Sequence, residues 1–380
     1  MTSIATPSGR VDRVAAFGAS VAVLACLLMP FAVFRANRIV AGTSHGVLAA
    51  GLSGWLLLAA SACALAAAIV PGRVARGWLL PTASAAATVA LAWALGGAAL
   101  TLRAGQPDAS RVSIGSGAWL AAAGIAVVWF AARGYPEGVA ARRIAIIIAA
   151  AGALGAALVG GLGHLSIVTE YGMRADSFWS AVGTHLALAG GSLALAVVIG
   201  VPLGILSLRV RWLRAATLGV VGVIETVPSL ALLGLLVVPL AALGLPGIGP
   251  LPAVIALTLY ALLPIVRNTY VGLSEVDPAV VDAGRGMGMS GRQLLLRVEA
   301  PLALPLVLEG VRSAAVLVIG IAAVVAFIGV GTLGVLVFEG WGQQTDDLIL
   351  LGAIPMVVLA VAADAGLRAV SRAMTSPGIR

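Results

Sequence analysis

Long apolar runs separated by short polar stretches dominate the chain. A helix that crosses a bilayer needs about 20 mostly apolar residues. Ten runs approach or reach that length, at about 14 to 34, 47 to 70, 78 to 102, 117 to 132, 143 to 163, 180 to 207, 215 to 243, 250 to 271, 313 to 337 and 348 to 369. The fourth is short and the seventh long. The pattern predicts an all-α polytopic membrane protein with about ten transmembrane helices. The polar connection HLSIVTEYGMRADSF, between Gly163 and Trp179, divides it into residues 1–165 and 166–380. That connection is too short to fold as a ligand-binding domain.

The two halves differ in character. Residues 1–165 hold about five spans rich in Ala, Gly and Leu, with almost no polar residue at membrane depth. Small residues let helices approach closely, so this half reads as packing, and its role stays open. In the second half Pro202, Pro228, Pro239, Pro246, Pro250, Pro252, Pro264 and Pro355 fall inside or at the ends of spans. Each removes a backbone hydrogen bond. Lipid tolerates such breaks where they are buried in protein or line a cavity, as a substrate-lining bundle requires. At any single proline an ordinary kink in a packed helix is the alternative.

The longest interval of the second half not suited to lipid is 273–312, which carries five of the fifteen acidic residues and four arginines. Asp277-Pro278 is a helix start, because Asp caps and Pro suits the first turn. The spacing predicts a short amphipathic helix ending near Gly288 and a second over 292–298, stopped by Pro301. Two short helices joined through glycine make a compact knob, a shape that fits a cleft on a soluble partner.

Composition narrows the classes. With 61% apolar and 10% charged residues, the chain lies far from soluble domains, in which about a quarter are charged. All 23 basic residues are arginine, so a Walker-A phosphate loop or a Schiff-base site, both needing lysine, is excluded. With the N-terminus inside, 18 of these 23 arginines fall on the cytoplasmic side, which places both termini and the 273–312 loop there. The charge reads as topology rather than nucleic-acid binding. Cys26 and Cys63 lie in apolar runs and act as small hydrophobes. His45, His164 and His185 have no partner at ligand spacing, so no metal site is expected.

Candidate chemistry sits in the second half. Glu225 lies roughly ten residues, about 15 Å, into the seventh run. A carboxylate at that depth marks a pathway or relay; pairing with an arginine such as Arg267 is the structural alternative. Thr226 and Ser229 add hydroxyls, and Pro228 frees carbonyls. Tyr260 and Asn268 place polar atoms on the eighth run, with Thr269 and Tyr270 beside them; an aromatic face suits a cationic solute, and an anchor at the membrane interface is the alternative for both tyrosines, the stronger one for Tyr270. Gly329, Gly331 and Gly334 match G-x-G-x-x-G but follow a span rather than a strand, which argues for a gate-like break and against a dinucleotide site. Asp346 and Asp347 are expected to be solvated.

The spacing Asp282-Ala283-Gly284, three residues, Gly288, nine residues, Val298, then Pro301 resembles the EAA loop of bacterial ABC import permeases. The run from about Trp179 to Arg368 looks like the five-helix permease domain of their osmoprotectant branch, for glycine betaine, carnitine or choline. ETVPSLA at Glu225, YALLPIVRNTY at Tyr260 and GAIP at Gly352 carry this likeness. Asp282 stands where the family usually has Glu, Gly284 where it has a second Ala, Ala300 where Leu commonly precedes the proline, and Glu225 where the branch often has Gln. The resemblance implies a type I importer permease core in the bacterial inner membrane, with Asp282, Ala283, Gly284, Gly288, Val298 and Pro301 coupling to an ATPase. It implies cytoplasmic ATP-binding subunits holding ATP and Mg, an extracytoplasmic solute-binding protein and a second permease subunit, with no cofactor in this chain. The rival is an ion-coupled secondary transporter using Glu225 as ion or proton site; the first half holds no counterpart of the Glu225 segment.

Overall fold

The computed structural model describes residues 11–38 and 40–374; Arg10 and Arg380 of the orientation count lie outside them. The chain divides into two units, Met1–Met173 with Thr345–Asp347, and Arg174–Gln344 with Leu348–Arg380.

The first unit contains α1 (Arg13–Leu28), α2 (Leu52–Ile69), α3 (Arg73–Arg103), α4 (Ser116–Ala132) and α5 (Val139–Leu158). Asp12 caps α1 by accepting from the Val14 and Ala15 amides at 3.0 Å, and its other oxygen accepts from the Tyr135 hydroxyl at 2.7 Å. Burial pushes the Tyr135 phenol up from its ordinary pKa. Lipid is as apolar as leucine and gives helices no hydrophobic reason to associate, so close packing must serve instead. Small residues supply it: Ala15, Ala19, Ala22, Ala118 and Ala121 are buried, and a Cβ added at Gly124 would stand 2.4 Å from the Gly18 carbonyl oxygen.

This unit also holds a sheet, which the all-α expectation missed. Strand β1 (Ala32–Arg35) lies between β2 (Thr43–His45) and β3 (Arg111–Ile114), antiparallel to both. The expected span 14–34 therefore ends at Leu28, and its last residues pair edge to edge instead of crossing lipid.

The second unit follows an interruption of α6 (Ser166–Arg209) at Arg174, whose φ and ψ of −130° and 20° are not helical. It continues through α7 (Arg211–Thr226), α8 (Ser229–Ala242), α9 (Pro250–Ser274), α10 (Pro278–Gly286), α11 (Gly291–Leu294), α12 (Ala300–Ile321), α13 (Gly334–Gly342) and α14 (Asp346–Met374). Its core gathers Ala196, Leu233, Leu257, Ile265, Ala314 and Val318, all almost fully buried. Helix α12 meets α9 through glycine: a Cβ at Gly310 would lie 2.6 Å from the Pro264 carbonyl oxygen.

Seven helices among the described residues are long and apolar enough to span a membrane, and an eighth span arises if α7 and α8 count together. Helices α1 and α4, at 16 and 17 residues, are shorter than that; the shortness of the fourth run is as expected, that of the first is not. Three details differ from expectation. The run 215–243 is two helices bent by 111°, because Pro228 offers no amide to continue α7. The run 313–337 breaks after Ile321 into a 3-10 turn, Val324–Ile328, and restarts at Gly334. Pro301 does not stop the second loop helix: it occupies the first turn of α12, and 291–321 run on as one helix through a π-helical turn at Leu295–Glu299.

Candidate functional site

A cavity of ≈ 560 Å³ opens between α7, α9 and α12, lined by Glu225, Leu263, Pro264, Arg267, Asn268, Val271, Ser313 and Leu317. Glu225 is the penultimate residue of α7, and Arg267 lies two turns before the end of α9. Both side chains are exposed. The alternative that they pair with each other is not realised, since no ion pair joins them among the described residues. Asn268 donates its amide to the Pro264 carbonyl at 2.7 Å, which leaves its oxygen free to accept. Helix α7 is held to α9 by the Arg214 guanidinium, 4.7 Å above the Tyr270 ring, a cation–π contact.

Of the pathway residues expected from sequence, Glu225 and Asn268 line the cavity. Thr226 instead donates to the Val223 carbonyl at 2.7 Å, while Pro228 and Ser229 form the cap and first residue of α8. Tyr260 is buried, and its hydroxyl donates to the Val227 carbonyl at the bend. Its role here is to satisfy an acceptor that the Pro228 break leaves without a helical partner. Tyr260→Phe removes that donor and is expected to cost about 1–2 kcal/mol, read as a lower thermal unfolding midpoint of the detergent-solubilised protein.

The glycine segment forms a tight break. Gly329, with φ of 80°, ends the 3-10 turn in the left-handed region, which costs L-residues other than Asn and Asp about 1–2 kcal/mol. The buried Thr332 hydroxyl donates to the Ala322 carbonyl at 2.9 Å. A Cβ at Gly334 would sit 1.9 Å from the Ala323 carbonyl oxygen, whereas Gly331 faces open space.

The knob of 273–312 is equally compact. Asp277 caps α10 by accepting from the Ala279 amide at 2.8 Å. Ser290 and Gln293 form a reciprocal capping box that starts α11, which satisfies two otherwise orphaned amides. Gly284 is buried, and a Cβ there would press to 2.7 Å from Leu294 and reach 4.0 Å from Val298. Gly288 turns the chain with φ of 75°. Asp282, Ala283 and Pro301 are exposed on this surface, and Asp282 accepts from Arg285 at 3.0 Å in a solvent-facing pair; such pairs contribute about 0–1 kcal/mol.

Sequence reasoning missed a charged cluster in the first unit. Glu170, 1% exposed, accepts from the Arg38 guanidinium, at 3.0 Å on Nε, and pairs with Arg111 Nε at 3.7 Å. Asp347 is not solvated as expected: it is 2% exposed and accepts from the Ser113 hydroxyl at 2.5 Å. Arg35 lies 3.9 Å from Asp346. The only hint in the sequence is that all seven of these residues fall between the expected spans.

The comparisons with known proteins agree with this layout. Residues 196–376 match the model of the binding-protein-dependent transport system inner membrane component family, and 12–168 match the N-terminal domain of the ABC transporter permease YehY. The osmoprotectant import permease protein OsmW of Salmonella typhimurium is 44% identical over 196 residues, 52% of this chain and 91% of that protein. The carnitine transport permease protein OpuCB of Listeria monocytogenes is 39% identical over 57% of this chain and 96% of its own length. The glycine betaine/carnitine/choline transport system permease protein OpuCB of Bacillus subtilis is 36% identical over 52% and 88%. With relatives of this identity covered almost end to end, the chain belongs to the family of binding-protein-dependent transport system inner membrane components and is an ABC importer permease subunit.

Proposed function

We propose that the chain carries glycine betaine or a related osmoprotectant into the cell, and that the 273–312 knob receives the stroke of a separate cytoplasmic ATPase. The observation that carries the solute class is the 44% identity over 196 residues to an osmoprotectant import permease. The knob supports the coupling role: two capped helices locked through Gly284 and turned at Gly288 present a rigid, small-residue tip. On this reading Asp282, Ala283, Gly284, Gly288, Val298 and Pro301 meet the ATPase, an extracytoplasmic protein delivers solute, and a second permease subunit completes the pathway. ATP and Mg belong to the ATPase. The arginine distribution favours both termini and the knob on the cytoplasmic side. Glu225 and Asn268 face the solute, and the Gly329, Gly331, Gly334 break gates it.

The test compares two substitutions at one backbone position. Gly288→Asn tolerates a left-handed backbone and is expected to keep ATPase association and uptake of radiolabelled glycine betaine. Gly288→Trp places a large side chain on the same tip and is expected to abolish both while the protein still inserts in the membrane. Survival of both activities in Gly288→Trp removes the docking role.

A further inference from the structure

We propose that Arg267 and Glu225 form a two-pole subsite selective for zwitterions, in which Arg267 takes a solute carboxylate and Glu225 its cationic nitrogen. The proposal deepens the osmoprotectant reading and rests on it. Both groups line one cavity of ≈ 560 Å³, both are exposed to it, and neither has an ion-pair or hydrogen-bond partner among the described residues. Charged groups on membrane-spanning helices are costly unless something answers them. Among the described residues no protein group does, and two opposite charges that share a cavity without closing on each other leave room for a molecule carrying both signs.

The chemistry of each pole is specific. A guanidinium offers a planar fork of donors that matches a carboxylate with two parallel hydrogen bonds. The free amide oxygen of Asn268 and the Glu225 carboxylate only accept, so neither competes for the solute anion. The remaining walls are the apolar Leu263, Pro264, Val271 and Leu317, with Ser313 adding one hydroxyl that can donate to the same carboxylate. With no aromatic face in the lining to hold a quaternary ammonium, the cationic pole depends on Glu225. A solute that is only a cation therefore meets Glu225 but leaves the Arg267 guanidinium unanswered, whereas a betaine satisfies both poles. Arg267 thus becomes a specificity-determining residue within the permease itself.

The experiment measures uptake of radiolabelled glycine betaine, carnitine and choline by the assembled transporter in vesicles, normalised to the amount of assembled complex. For Arg267→Gln the betaine-to-choline uptake ratio is expected to fall about tenfold, the loss corresponding to one charge-assisted bidentate contact. Glu225→Gln is expected to lower both solutes and leave their ratio within about twofold, since both present a cation to that carboxylate. An unchanged ratio in Arg267→Gln, or equal loss of both solutes, overturns the proposal while leaving the importer reading intact. Wild type that moves none of the three removes the importer reading for these solutes and the proposal with it. If Arg267→Gln fails to assemble, Arg267→Lys keeps the charge and loses the fork; a fall in the ratio supports the proposal and an unchanged ratio overturns it.

Discussion

Glu170→Ala is expected to destabilise the first unit by about 3–5 kcal/mol, the cost of removing one partner from a buried charge network. Register explains why the effect is large. In the β1–β3 pair Arg35 stands directly opposite Arg111, and like charges facing each other across a ladder are unfavourable. Arg111 is only 13% exposed, so water cannot take over the screening that Glu170 provides to it, whereas Arg38, at 36%, stays partly solvated. The measurement is thermal unfolding of the solubilised protein, with limited proteolysis between β2 and α2 to localise the loss. Replacing Glu170, Arg38 and Arg111 together by apolar residues of similar size is expected to recover much of it, because no uncompensated charge then remains buried. A loss below about 1 kcal/mol in the single variant would mean that the arginines are solvated after all.

Gly334→Val is expected to cost about 3 kcal/mol and to stop transport, while Gly331→Ala, three residues earlier in the same glycine segment, changes stability by less than about 0.5 kcal/mol. The contrast follows from space alone. Any Cβ at Gly334 would overlap the Ala323 carbonyl at 1.9 Å, and that atom is backbone, so relief requires moving the start of α13. Gly331 has open space around it. Unfolding midpoints and glycine betaine uptake for the two variants decide the matter; equal sensitivity at both glycines would show that flexibility, not close approach, is what the segment needs.

Much of the helical layout was legible because apolar length is a direct physical requirement of lipid. The residues that escaped were those governed by long-range contact. Ala32–Arg35 and Arg111–Ile114 are four residues each and 76 residues apart at their nearest ends, too short to signal a strand without their partner. Glu170 and Arg38 are separated by 132 positions, so the pair exists only once the unit has folded. The Pro301 error has a local cause: a proline ring clashes with the carbonyl four residues back. Here that residue is Arg297, inside the π-helical turn, where the widened backbone removes the clash and lets the helix continue. In the cavity, Glu225 could be read from its depth, but Arg267 appeared only as a pairing partner for it. Only the placement of α9 against α7 shows the two charges held apart around a common space.

The unbroken helix from Gly291 to Ile321 has a mechanical meaning of its own. Its 31 residues make a rod of about 46 Å at 1.5 Å per residue, with the capping box of Ser290 at one end and the 3-10 turn leading to Gly329 at the other. Each degree of tilt imposed at the Ser290 end displaces the far end by about 0.8 Å over that length. A rotation of only a few degrees is thus magnified into a movement as wide as a methyl group or more, delivered to the segment where Gly334 has no slack to absorb it.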